Sequence, residues 1–122
     1  MKELKSLNKR TAPKSVMPEK IIQFGEGNFL RAFVDWIIWN MDQKTDFNGS
    51  VVVVQPIDRG MVDWLNGQDC LYHVNLQGRL NGEAVNSLER IDVISRALNP
   101  YTQNQAYMAL AEQPEIRFVI SN

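Results

Sequence analysis

Residues 1–19 are polar and broken by Pro13 and Pro18, and the first apolar run, Ile21-Ile22-Gln23-Phe24, stops at Gly25. A short apolar run closed by glycine predicts a buried strand. From Asn28 the period lengthens. Phe29, Ala32, Phe33, Trp36, Ile37 and Met41 recur at helical spacing on one face, interrupted only by Asn40. Asn28 is the expected N-cap, its side-chain oxygen accepting from the free first-turn amides. Arg31 and Asp35 sit a turn apart, where they could pair on the outer face. After a turn cluster at Asp46 to Gly49, Val51-Val52-Val53-Val54 has no alternation, the pattern of a strand covered on both faces of a parallel α/β sheet. Strand, helix and buried strand in about 35 residues make one βαβ unit with a right-handed crossover.

The rest continues in short segments. Pro56 to Asp69 is irregular, with a helical turn expected around Met61 to Leu65. Leu71 to Leu76 and Glu83 to Ile91 flank Asn81-Gly82, a tight-hairpin signal. Ile91 to Ile94 is read as a further strand. Tyr101 to Glu112 is read as a helix with Ala106, Met108 and Leu110 among its apolar positions, ended by Pro114. Arg117-Phe118-Val119-Ile120 is a last apolar strand. The expected fold is α/β: a Rossmann-like, doubly wound, mainly parallel sheet with a β-hairpin insertion, in an incomplete domain. Residues 1–19 form a polar leader, and residues 20–122 the N-terminal part of the domain.

Composition changes this picture little. A 122-residue chain fits one small domain, and 44% hydrophobic with 22% charged residues is ordinary for a globular protein. A formal net charge of −1 gives no electrostatic case for nucleic acid or an anionic membrane. Basic residues crowd the start (Lys2, Lys5, Lys9, Arg10, Lys14, Lys20), which reads as a solvated leader rather than a transit peptide. No apolar run approaches a membrane span or a secretory core, so a cytoplasmic protein is expected. The single cysteine, Cys70, excludes an internal disulfide and a thiolate zinc cluster, and no metal site is expected.

The chemistry concentrates at Gly25-Glu26-Gly27-Asn28-Phe29-Leu30. Strand, Gly-x-Gly and helix in that order let the backbone turn tightly and a pyrophosphate approach the positive helix end. The usual third glycine would fall at Leu30; Ala32 is the nearest small residue. At the end of the second strand, where an acid commonly bonds the adenosine ribose, stands Gln55, followed by Asp58 and Arg59. Gln55 can bond a hydroxyl without repelling a 2′-phosphate, so NAD and NADP both stay open. Ser121 and Asn122, at the end of a parallel strand, are expected near the cofactor crevice.

The run from Ile21 to Trp36 resembles the opening of the mannitol dehydrogenase family of long-chain polyol dehydrogenases. Gln55-Pro56-Ile57, Gln68-Asp69-Cys70-Leu71-Tyr72 and Arg117 to Asn122 continue the similarity. Phe33 stands where the family often has histidine, which favours the tagaturonate branch over the mannitol and fructuronate branches. The resemblance implies an NAD-dependent exchange of hydride between D-altronate and D-tagaturonate. It also implies that Ile21, Ile22, Gln23, Phe24, Gly25, Glu26, Gly27, Asn28, Phe29, Leu30, Arg31 and Ala32 line the cofactor. The family's catalytic lysine, asparagine and histidine lie on a helical C-terminal domain. Here no lysine follows Lys44, and the only histidine, His73, lies in a strand segment where a structural role is expected. The chain therefore reads as a fragment without catalytic residues, whose partners are NAD(H), a sugar-acid substrate and its own missing domain, with self-association a further expectation. The fructuronate and mannitol branches of the family are the alternatives within the enzyme class, and a free-standing NAD-binding module is the alternative of another class.

Overall fold

The computed structural model describes residues 3–122. Four strands, β1 (Glu19–Phe24), β2 (Ser50–Val54), β5 (Ile94–Leu98) and β6 (Phe118–Ser121), form one parallel sheet in the order β5-β2-β1-β6. Its chain order reverses between β1 and β6, so the fold is Rossmann-like. The other two strands, β3 (Tyr72–Leu80) and β4 (Glu83–Ile91), make the expected antiparallel hairpin. Asn81 and Gly82 both have positive φ (54° and 83°), as a tight two-residue hairpin turn requires.

The valine run explains the layering. Val51 to Val54 are all buried, and alternate residues point to opposite faces. Val51 and Val53 join Ile21, Ile38, Leu65, Tyr72 and Ile91 on the face covered by helices α1 (Asp35–Lys44) and α2 (Val62–Gly67) and the hairpin. Val52 and Val54 join Leu98 and Leu110 on the other, which helix α3 (Asn104–Ala109) covers.

Several expectations are corrected. The first helix begins at residue 28 and is π-wound over Leu30–Val34 before α1. Its buried residues are Leu30, Arg31, Asp35 and Ile38, whereas Phe29 and Phe33 are 60% and 52% exposed and Ile37 and Met41 lie at the surface. The face is thus turned relative to the periodicity: two polar side chains point inward because the site below supplies their hydrogen bonds. Ile91 ends β4, and the next strand is β5, because Asp92 and Val93 interrupt the pairing. The helix expected over Tyr101 to Glu112 shortens to α3 and a 3₁₀ turn at Leu110–Glu112.

The leader carries no helix or strand before Glu19 and is largely exposed, but a few of its residues are anchored to the domain; Lys2 lies outside the described residues. Ala12 is buried, Lys14 Nζ donates to the carbonyls of Asp69 and Ser95, and Ser15 N donates to Asp92 Oδ2 at 3.0 Å. Among the described residues, no helix is long and apolar enough to cross a membrane.

Candidate cofactor-binding site

Because the sheet is parallel, β1, β2, β5 and β6 deliver Gly25, Gln55, Asn99 and Asn122 to one edge. Gly25 N donates to Val54 O at 3.0 Å, and its φ of +126° favours glycine. A Cβ there would sit 3.1 Å from Leu30 Cδ1 and 3.2 Å from Asn122 Oδ1. Leu30, in the third-glycine position, therefore packs against the first glycine, and the carboxamide of Asn122 lies over the turn. Gly27 differs: a Cβ there would meet nothing within 4 Å, so the space above it is open.

The helix's first backbone bond runs from Arg31 N to Gly27 O at 3.2 Å. The amides of Asn28, Phe29 and Leu30 precede it and have no intrahelical acceptor. They and the positive helix end face the open side of the turn, which suits a phosphate. Asn28 is not the N-cap expected from sequence; its Oδ1 accepts from Arg31 Nη2 at 2.8 Å instead of from a first-turn amide.

The remaining sequence candidates occupy distinct positions. Ile21 and Gln23 are buried strand residues, and Ile22 and Phe24 pack against the α3-side core. Phe24 also lines a cleft at the strand ends with Gln55, Pro56 and Tyr101. Phe29 is exposed beside the turn, and Ala32 lines a cleft towards β3. Ser121 pairs with Phe24 at the end of β6 and, like Asn122, is exposed. Gln55 is 2% exposed, and its amide is engaged within its own loop: Nε2 donates to Ile57 O at 2.8 Å and Oε1 accepts from Val62 N at 3.4 Å. Gly60 permits this packing, since a Cβ there would stand 2.7 Å from Gln55 Cδ and collide with Glu26. Beside Gln55, a cleft of about 230 Å³ is lined by Asp58, Arg59, Gly60, Asp63 and Asn99. Asp58 and Arg59 are exposed and 4.0 Å apart, a solvated pair.

Under the turn lies a polar cluster that periodicity did not disclose. Gln23 Nε2 donates to Gly25 O at 3.0 Å and to Asp35 Oδ2 at 3.1 Å. Asp35 is fully buried, and burial pushes its carboxyl up to about 7 against the opposing effects of the Gln23 hydrogen bond and the Arg31 charge. Arg31 and Asp35 thus share the interior rather than pairing on the outer face. Arg31 Nε donates to Glu26 O at 2.8 Å, and its guanidinium lies 5.5 Å from the Trp64 ring centre and 5.3 Å from that of Tyr72. The Tyr72 hydroxyl donates to Arg31 O at 2.7 Å. The roles of Asp35, Gly60, Trp64 and Tyr72 were missed. A glutamine inside an apolar strand run was the one signal of a buried polar partner.

Comparison with known proteins agrees with this fold. Residues 19–121 match the family model described as the mannitol dehydrogenase Rossmann domain. The chain is 79% identical over 119 residues to an altronate oxidoreductase of Bacteroides thetaiotaomicron, covering 98% of this chain and 25% of that protein. It is 53% identical over 105 residues to the Bacillus subtilis altronate oxidoreductase, covering 86% and 22%. The chain thus spans about a quarter of the length of the curated relatives it matches. Among solved structures, Pseudomonas fluorescens mannitol 2-dehydrogenase, in a ternary complex with NAD and D-mannitol, superposes with a TM-score of 0.76 at 26% identity, covering 95% of this chain and 26% of that one. A D-sorbitol dehydrogenase in substrate-free form shares the fold, with a TM-score of 0.72 at 20% identity over 90% of this chain and 23% of that one. The chain belongs to the mannitol dehydrogenase family, whose Rossmann domain it matches from residue 19 to residue 121.

Proposed function

We propose that this chain is the NAD-binding part of a tagaturonate reductase, an oxidoreductase that interconverts D-altronate and D-tagaturonate in hexuronate breakdown. The observation that carries the cofactor reading is the contrast between the two glycines. Gly25 is required by the fold, with its positive φ and close neighbours, whereas Gly27 has open space above it and unbonded helix amides beside it. A glycine that the protein's own packing does not require is explained by a pyrophosphate lying against it. The residues proposed to hold it are the backbone from Gly25 to Leu30, with Arg31 and Ala32 behind and Ser121 and Asn122 across the crevice. Ile21 to Phe24 support the turn from β1, and Gln55 shapes the adenosine side. The bound nicotinamide supplies the hydride chemistry. The substrate assignment rests on the 79% identity to a protein named altronate oxidoreductase, and NAD on the mannitol 2-dehydrogenase complex.

The division of labour follows from chemistry. Hydride removal from an alcohol needs a base for the hydroxyl proton. Lys20 is engaged with Phe47 O and Lys14 with Asp69 O, both away from the crevice. We assign the proton acceptor and the sugar-acid contacts to other parts of the whole protein, which would act in the cytoplasm. The test is Gly27→Val in the whole protein. The variant should fold normally, because a Cβ at this exposed position meets no neighbour, and lose NADH binding by fluorescence titration. Unchanged NADH affinity in the folded variant would refute the cofactor reading.

A further inference from the structure

The hairpin β3–β4 is an addition that a parallel dinucleotide fold does not need, yet its base bonds the helix that leaves the glycine turn. Tyr72, the first residue of β3, gives its hydroxyl to the backbone carbonyl of Arg31 at 2.7 Å. Its ring and that of Trp64 on α2 lie beside the Arg31 guanidinium. Arg31 as a whole is 6% exposed, and it forms no ion pair among the described residues. A buried cation without a counter-ion is costly unless its donors are satisfied. Here Nε and Nη2 are satisfied by Glu26 O and Asn28 Oδ1, both at 2.8 Å, the residues on either side of Gly27.

We propose that Arg31 is a positioning residue of the cofactor turn and that the hairpin, through Tyr72, and α2, through Trp64, hold it in place. The inference rests on the cofactor reading above and adds to it. Arg31 spans the turn from below, tying the carbonyl before Gly27 to the side chain after it. The two hydrogen bonds aim the carbonyl of Glu26 inward, so the amides that follow face the open side where a pyrophosphate would lie. The fixed charge sits close behind those amides and favours an anion over a neutral ligand. Tyr72 locks the backbone of Arg31 where the helix is π-wound, at Leu30–Val34, a winding often found at functional sites. The hairpin then has a role in the cofactor site without touching the cofactor.

The test uses Arg31→Met, Arg31→Lys and Tyr72→Phe in the whole protein. It reads NADH affinity by fluorescence titration, and amide hydrogen exchange at residues 26–30 without ligand. Arg31→Met should weaken NADH binding by about tenfold or more, the scale of lost bonds to a charged group. Arg31→Lys should recover part of the loss, since an ammonium can reach one acceptor but lacks the planar fork. Tyr72→Phe keeps the ring beside Arg31 and removes one hydrogen bond, so it should weaken binding a few-fold. In each variant, exchange should quicken at residues 26–30 while Val51 to Val54 stay protected, which a general loss of stability would not produce. If Arg31→Met does not fold, the lysine and phenylalanine variants carry the test. Wild-type NADH affinity and unchanged local exchange in the folded variants would overturn the inference and leave the cofactor reading standing. Failure of the wild-type protein to bind NADH would overturn both.

Discussion

Gln23 and Asp35, twelve residues apart on β1 and the first helix, meet through a 3.1 Å hydrogen bond directly beneath the carbonyl of Gly25. Gln23 Oε1 and Asp35 Oδ1 are both buried without a partner, so the cluster holds more acceptors than donors. A proton on Asp35 supplies the missing donor, in keeping with a carboxyl raised to about 7.

The first prediction follows from that proton. The folded-state value lies above the ordinary 3.8, so the folded chain binds a proton that the unfolded chain has released between about pH 4 and pH 7. This contribution to stability is complete at the acid end of that window and is lost as pH rises through about 7, a change on the order of 4 kcal/mol. Asp35→Asn cannot ionise and adds a donor, so its stability should change less across the window and match or exceed wild type at pH 8. Thermal melts at several pH values check this; parallel pH profiles for the two proteins would argue against it.

The second concerns the two glycines as structural elements. Gly25→Ala should destabilise the chain by about 1–3 kcal/mol, from positive φ and contacts with Leu30 and Asn122. Gly27→Ala should leave stability within about 0.5 kcal/mol, as surface changes usually do. Equal melting temperatures for the two variants would count against the assigned geometry.

A third prediction separates cofactor choice from loop architecture. The whole protein should prefer NAD(H) to NADP(H) in catalytic efficiency. Gln55→Asp places a carboxylate opposite the Ile57 carbonyl where an amide now donates, so it should cost about 1–3 kcal/mol in stability. Any gain in discrimination against the 2′-phosphate should therefore come with a lower melting temperature. A parent enzyme that prefers NADP would contradict the assignment.

The fourth is that the 122-residue chain does not oxidise NADH in the presence of tagaturonate, whereas the whole protein does. Positioning of two substrates and a proton acceptor is worth many orders of magnitude in rate. Absorbance at the NADH band, followed for both proteins at equal concentration, decides this. Comparable turnover by the chain would place the base among these residues.

Much of the fold was legible because burial on two faces leaves a plain mark: Val51 to Val54 could hardly be anything but a central strand, and Asn81-Gly82 accounts for the hairpin. The glycine turn was legible from its position between strand and helix. The orientation of the first helix was not. Periodicity assumes that apolar residues point inward, and here Arg31 and Asp35 do so because Glu26, Asn28 and Gln23 bond them. The packing of Gln55 was not legible either: its place after β2 is that of a ribose ligand, and only the structure shows its amide also closing its own loop. Tyr72 reaches Arg31 across forty-one residues of sequence, and no local pattern encodes that contact.

The sheet order has a consequence for the order of synthesis. β1 lies between β2 and β6, and β6 is the last strand of the chain. While a ribosome makes the protein, β1 can pair on one edge once Val54 has emerged, but its other edge stays open until Ser121 follows. During that interval an apolar strand presents unpaired amides and carbonyls, a template for a neighbouring nascent chain. The glycine turn hangs from the end of that strand, and Asn122 reaches it only when β6 is in place. Nascent chains stalled before residue 118 should therefore aggregate more readily without a chaperone than chains long enough to seat β6 beside β1.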